Sequence, residues 1–225
     1  MKGIKTLIGA IAASLLLAVS FNALAQEDNN RDENGKPVYG PYETGRFLDN
    51  WFVGIGGGIN TMYDNKALGN IGGAFELYLG KWFTPNVGAR IGYRGVTDKS
   101  KSIDNFVSSD GKFGYNAVHA DLLWNLSNTF SGYKETRLWD VIPYATFEGV
   151  WFRYRPEGED KKVTNLSYGA GVGLLNDIRL GKKLDLFIDL RGIVVPESEL
   201  RTPASGTFTF IPSVTAGLIF NLGKS

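Results

Sequence analysis

The stretch Leu184-Asp185-Leu186-Phe187-Ile188-Asp189-Leu190-Arg191 decides the fold. Leu184, Leu186, Ile188 and Leu190 share one parity; Asp185, Phe187, Asp189 and Arg191 share the other. Side chains of a strand alternate between its two faces, so this segment is a strand with one greasy face and one largely ionic face. The same division recurs outward from it. Phe208, Phe210, Val214, Ala216, Leu218 and Phe220 oppose Thr207, Thr209, Ser213, Thr215 and Asn221, and Val87, Ala89, Ile91 and Tyr93 oppose Gly88, Arg90, Gly92 and Arg94. Val118, Ala120, Leu122 and Trp124 oppose His119, Asp121 and Asn125.

Eight such segments are bounded by turn signals, at 51–62, 71–83, 86–96, 113–126, 141–155, 165–179, 183–195 and 207–222, and no helical periodicity competes with them. Their connections alternate in length. Thr84-Pro85 and Leu180-Gly181-Lys182 are short, whereas 97–112, 156–164 and 196–206 are long. An even strand count with short turns at one end and longer loops at the other predicts an all-β fold, an eight-stranded antiparallel up-and-down transmembrane β-barrel. The connection 127–140 is too long for a short-turn end, and the sequence offers no physical reason for it. A soluble β-sandwich also alternates, with its apolar face as a core. The strand lengths, the loop alternation and the export signal described next favour the barrel.

Lys2 and Lys5 precede an apolar run from Leu7 to Val19 and then Ala23-Leu24-Ala25, which reads as a cleaved secretory signal over 1–25. The run is short of the roughly 20 residues that a spanning helix needs. A lipid anchor would need a cysteine at the cleavage point, and the chain contains none, so neither disulfides nor thiol chemistry hold it together. Residues 26–50 are polar and turn-rich and read as a flexible leader on the periplasmic side, with 51–225 as the barrel. Without Lys2 and Lys5 the 24 basic residues become 22 against 23 acidic ones, a formal charge of −1 that gives no footing for nucleic acid.

Trp51, Tyr78, Trp82, Phe83, Tyr93, Trp124, Tyr133, Trp139, Tyr144, Trp151, Phe152, Tyr154, Phe210 and Phe220 lie mostly near strand ends. Those on the lipid face are expected to form the aromatic girdles that sit at headgroup level.

The phrases Trp51-Phe52-Val53-Gly54-Ile55-Gly56-Gly57-Gly58, Gly80-Lys81-Trp82-Phe83-Thr84-Pro85 and Asp121-Leu122-Leu123-Trp124-Asn125-Leu126-Ser127-Asn128 stand in order along the chain. Gly132-Tyr133-Lys134-Glu135-Thr136-Arg137 and Gly173-Leu174-Leu175-Asn176-Asp177-Ile178-Arg179-Leu180 follow, the latter leading into Lys183-Leu184-Asp185-Leu186. Over 51–222 the chain resembles the OmpA-family outer-membrane barrels of Bacteroidetes-type bacteria. The resemblance implies location in the outer membrane of a Gram-negative bacterium and insertion by the barrel assembly machinery. Such proteins often continue into a peptidoglycan-binding domain; the chain stops at Ser225, so cell-wall anchoring is not expected. Many also end in an aromatic residue, whereas here the last one is Phe220.

Eight strands enclose a space that side chains can fill. The inward parity gathers Glu76, Arg90, Arg94, His119, Asp121, Glu148, Asp185, Asp189 and Arg191, and charges so confined are expected to pair as an ionic plug. Gly54, Gly56 and Gly58, with Gly169, Gly171 and Gly173, fall on the same face and are expected to make room for long arginines from across the lumen. They do not complete a dinucleotide-binding fingerprint, and no helix follows them.

No catalytic, cofactor or metal site is expected. His119, the only histidine, could act as a base toward Ser109, Ser127 or Ser167, but Ala117 and Asp121 are its same-face neighbours. Asp104 and Asp110 read as solvated loop surface. The leading expectation is a non-enzymatic, monomeric barrel that stabilises the outer membrane, contacts its lipid and displays the loops 63–70, 97–112, 156–164 and 196–206 to an extracellular ligand or partner. The alternatives are a narrow porin for small solutes and a lipid-modifying barrel enzyme.

Overall fold

The computed structural model describes residues 33–35, 47, 49–61, 71–96, 115–154, 163–196 and 208–222. The signal segment 1–25, most of the leader and the loops 63–70 and 97–112 lie outside the described residues, as do 156–162 and 197–206.

Eight strands close into one barrel in sequence order: β1 (Trp51–Asn60), β2 (Gly72–Trp82), β3 (Val87–Val96), β4 (Tyr115–Trp124), β5 (Trp139–Tyr154), β6 (Val163–Arg179), β7 (Leu184–Pro196) and β8 (Phe208–Leu222). Every neighbouring pair is antiparallel, and β1 pairs with β8 to close the wall. A ten-residue strand at about 3.3 Å per residue, tilted by about 45°, spans close to the 25 Å apolar band of such barrels. β5 and β6, with 16 and 17 residues, pair along their full length and outreach their neighbours.

Exposure is inverted relative to a water-soluble protein. Ile91 (61%), Leu122 (61%), Phe147 (59%) and Val172 (68%) are exposed, while their sequence neighbours Arg90, Asp121 and Glu148 are buried. Apolar side chains cover the outer wall, where lipid is the solvent, and polar ones fill the inside. On β7 the exposure alternates along the whole strand, with Asp185, Phe187, Asp189 and Arg191 buried. Trp124, Trp139, Trp151 and Phe220 stand exposed near strand ends, as girdle residues do, whereas Tyr78 and Tyr144 turn inward and are buried.

Two connections are tight. The Val87 carbonyl accepts from the Phe83 and Thr84 amides (2.9 and 3.1 Å), and the Thr84 hydroxyl accepts from the Val87 amide (2.9 Å). The Leu184 carbonyl closes the other turn by accepting from Leu180 and Gly181 (3.0 and 3.1 Å). At the same end Lys81 donates to the carbonyls of Phe47 and Asp49, both at 2.6 Å, and lies 5.2 Å from the ring centres of Phe47 and Trp51. This clasp fixes where the chain enters β1.

The long connection before β5 has a structural reason. It contains a six-residue helix, α1 (Leu126–Ser131), capped by Asn125, whose side chain accepts from the Asn128 amide at 2.8 Å. β4 pairs with β5 only as far down as Leu123 opposite Tyr144, so residues 139–143 present an edge without a strand partner on that side. α1 packs there, and the Val141 amide donates to the Ser127 hydroxyl (2.9 Å). Covering an exposed edge in this way blocks pairing with another chain. Sequence reasoning misses this helix because a single turn and a half is too short to show a period.

Candidate functional site

The lumen is the one place where the fold concentrates chemistry among the described residues, and its contents are zoned. From the short-turn end, the inward residues of β5 run Asp140, then Ile142 and Tyr144, then Thr146 and Glu148, then Val150. β7 repeats the order with Asp185, then Phe187, then Asp189 and Arg191, then Ile193 and Val195. β4 and β8, read in reverse, give Asn125, Leu123, Asp121, His119, Ala117 and Asn221, Ile219, Thr215, Ser213, Ile211. An ionic zone is therefore bracketed by an apolar layer on its short-turn side and, on its long-loop side, by Val150, Ile193, Val195 and Ile211 interspersed with the buried hydroxyls of Ser167 and Thr209. A second polar group lies at the short-turn mouth.

Eight of the nine residues predicted for the network meet in the ionic zone. The Arg90 guanidinium donates to Asp121 and Asp189, both at 2.6 Å, and lies 3.7 Å from Glu76. Arg191 donates to Glu148 at 2.9 Å and Asp121 at 3.1 Å, and reaches Glu76 at 3.5 Å. Arg94 donates to the same Glu148 oxygen at 3.1 Å and to the Ser213 hydroxyl at 2.8 Å. The Thr215 hydroxyl donates to Glu76 (3.2 Å), and His119 Nδ1 lies 3.1 Å from Asp121. Each shared oxygen links guanidiniums of different strands, so the bonds form one web across β2, β3, β4, β5, β7 and β8. The side chains in it are essentially inaccessible to solvent. Charge-assisted bonds of this kind are the strong ones, and burial makes each depend on the others.

Asp185 is the exception. It faces inward as its parity requires but lies four residues below Asp189, roughly 13 Å along the strand, with Phe187 between them. There it accepts from Asn221 at 2.5 Å, in the mouth group where Asp140 pairs with Arg179 (2.8 Å) and Arg137 (3.2 Å). Parity predicts the face of a side chain but carries no information on its height.

Aromatic rings are the portion of the site that sequence reasoning misses. Tyr78 and Tyr144 each lie 4.6 Å from the Arg90 guanidinium, and the Tyr144 hydroxyl donates to Asp189 at 2.5 Å. The glycines expected to admit arginines admit these rings instead. A Cβ on Gly54 would sit 2.1 Å from the Tyr78 ring, one on Gly173 2.1 Å from Tyr144, and one on Gly56 2.5 Å from Phe187. Gly171 and Gly58 meet backbone rather than any arginine. A ring needs a flat recess beside its own strand, whereas an arginine reaches the centre of the lumen and needs none. The signal lies in the register, which sets Gly54 opposite Tyr78 and Gly173 opposite Tyr144.

The residues weighed as catalytic do not assemble. His119 stands opposite Glu148 in the register, and Ser167 stands opposite Val150 two positions away. Ser127, within α1, accepts the Val141 amide, and Ser109 lies outside the described residues. Among the described residues no group of three or more His, Cys, Asp or Glu side chains is placed to hold a metal ion.

No protein-family model matches the chain. Outer membrane protein 40 of Porphyromonas gingivalis is 28% identical over 232 residues, covering 98% of this chain and 58% of that protein. Outer membrane protein 41 of the same organism is 28% identical over 195 residues, covering 82% of this chain and 46% of that protein. The chain thus spans about half the length of the curated relatives it matches. In structure it is similar to Neisserial surface protein A, with a TM-score of 0.57 at 11% identity, over 76% of this chain and 97% of that one, a likeness of fold alone. Together with the inverted wall and the closed sheet, these matches make the chain an outer-membrane β-barrel of OmpA-like fold, homologous to outer membrane proteins 40 and 41 of Porphyromonas gingivalis.

Proposed function

We propose that this protein is a non-enzymatic, monomeric barrel whose lumen is closed by its own side chains and whose work is done by the wall it presents to outer-membrane lipid and by the loops it displays. The observation that carries this reading is the ionic zone. It is buried and cross-linked over six strands, with Ile193, Val195 and Ile211 on its long-loop side and Leu123, Ile142 and Ile219 on its short-turn side. A solute would have to push between packed side chains on either side of the zone and break several charge-assisted bonds at once. A rigid wall of this kind suits recognition by the loops at its open end, which are the surfaces left for an extracellular ligand or partner.

The test is conductance. Purified protein in planar bilayers is expected to show no large, steady current, and a stable wide-pore conductance would favour the porin reading over this one. The porin reading draws some support from buried polar atoms that have no hydrogen-bond partner among the described residues, the Tyr78 hydroxyl, His119 Nε2 and the Thr146 hydroxyl, since these mark polar space inside the barrel.

A further inference from the structure

On the outer wall, in the half of the barrel nearer the long loops, an apolar groove crosses four adjacent strands. Its rows follow the register. Leu174 on β6 stands beside Leu190 on β7, and Leu190 beside Val214 on β8; one step higher, Gly192 stands opposite Pro212. The Gly192–Pro212 pair makes the depression, because one residue has no side chain and the other a short ring. Phe210 leans over it, close enough that a Cβ on Gly192 would sit 2.8 Å from its ring. The groove encloses about 560 Å³ and has no charged side chain on its outward face.

We propose that this groove is a lipid site, holding one acyl chain of a membrane lipid longer than the flat wall around it does. Three observations select that occupant. The groove is continuous with the lipid-facing wall, so chains meet it from every side. Its outward lining is apolar, and the polar residues that border it, Asn60, Thr61, Arg191 and Ser213, are buried, so none is offered to orient a peptide or a sugar. Its outward lining also falls short of the roughly 20 to 30 residues a side of a stable protein interface, so a second copy would find too little to bury. An acyl chain lying in the groove exchanges contact with mobile neighbouring chains for contact with fixed side chains, and those added dispersion contacts are what retain it.

The experiment uses the full mature barrel reconstituted in nanodiscs of dipalmitoyl phosphatidylethanolamine and released into detergent for native mass spectrometry. A one-lipid adduct is expected to persist. In Gly192→Leu, whose side chain takes the depression and displaces the Phe210 ring, the adduct is expected to fall several-fold. Val172→Trp, which fills the groove from β6, opposite Gly192, is expected to lose it as well. Ala120→Leu, on the exposed wall of β4, is expected to keep it. Folding of each variant is confirmed by heat-modifiable migration. Equal adducts in all four proteins, no adduct in any, or a dimer mass abolished by Gly192→Leu would each overturn the proposal.

Discussion

Arg90→Ala tests the ionic zone most directly. The side chain holds two bonds of 2.6 Å to Asp121 and Asp189 and is flanked by the faces of Tyr78 and Tyr144. Without it, Glu76, Asp121 and Asp189 are left with Arg191, at 3.5, 3.1 and 3.7 Å, as their shared guanidinium. Removing one partner of a buried ion pair costs about 3 to 5 kcal/mol because the remaining charge stays desolvated. That is a fall of between roughly a hundredfold and a few thousandfold in the folded-to-unfolded ratio. The assay is a urea titration of the refolded barrel in lipid vesicles, followed by tryptophan fluorescence with coincident unfolding and refolding curves. Arg90→Ala combined with Asp189→Ala is expected to cost less than the sum of the two single changes, by about 0.5 to 3 kcal/mol, because the pair then leaves together. A loss below about 1 kcal/mol for Arg90→Ala, typical of a solvated surface pair, would refute the dry plug.

Leu186→Arg or Ile188→Arg is expected to reduce membrane insertion far more than Asp189→Asn, by about 2 to 4 kcal/mol near the midplane; equal yields in outer-membrane fractions would invert the face assignment. Gly173→Ala drives a methyl into the Tyr144 ring and is expected to destabilise by about 1 to 3 kcal/mol, whereas Gly149→Ala, which meets open space, is expected to be close to neutral in the same titration. Asn125→Ala removes the cap of α1 and is expected to cost about 1 kcal/mol, and an unchanged urea midpoint would show that α1 does not support the β5 edge. With an even strand count the first residue of β1 and the last of β8, Trp51 and Leu222, both lie at the short-turn side. An engineered protease site near Ser102 is therefore expected to be cut in intact cells, and one near Asn30 only after the envelope is opened; the opposite pattern reverses the orientation.

How much of this is legible in the sequence depends on range. The faces of β3, β4, β7 and β8 can be read residue by residue, because alternation is a local property and lipid on one side punishes every error. The membership of the network follows from the same parity, which is why Arg90, Arg94, Arg191 and their acids can be named in advance. Height within the lumen is set by the stagger between strands, and no single strand carries it. That is why parity groups Asp185 with Asp189 although Phe187 separates them. Tyr78 and Tyr144 pass for girdle residues when read by residue type, although each shares its parity with an inward acid, Glu76 or Glu148; what the register adds is the glycine opposite that makes room for the ring. α1 escapes because its signal is one capping asparagine rather than a repeating pattern.

The web of lumen bonds also governs how the barrel can form. Arg90 reaches Asp121 on the next strand, but its bond to Asp189 spans 99 residues, and those from Arg191 to Glu76 and from Thr215 to Glu76 span 115 and 139. A lone hairpin entering the bilayer would carry charges whose partners have yet to arrive, and exposing them to hydrocarbon is costly. Contacts of such long sequence separation also form late, since the intervening chain must first be closed into a loop. Insertion and closure of the wall are therefore expected to be coupled: a sheet open between β1 and β8 holds its lumen charges incompletely paired until the last strand arrives, when the charge web and the final row of backbone bonds lock together.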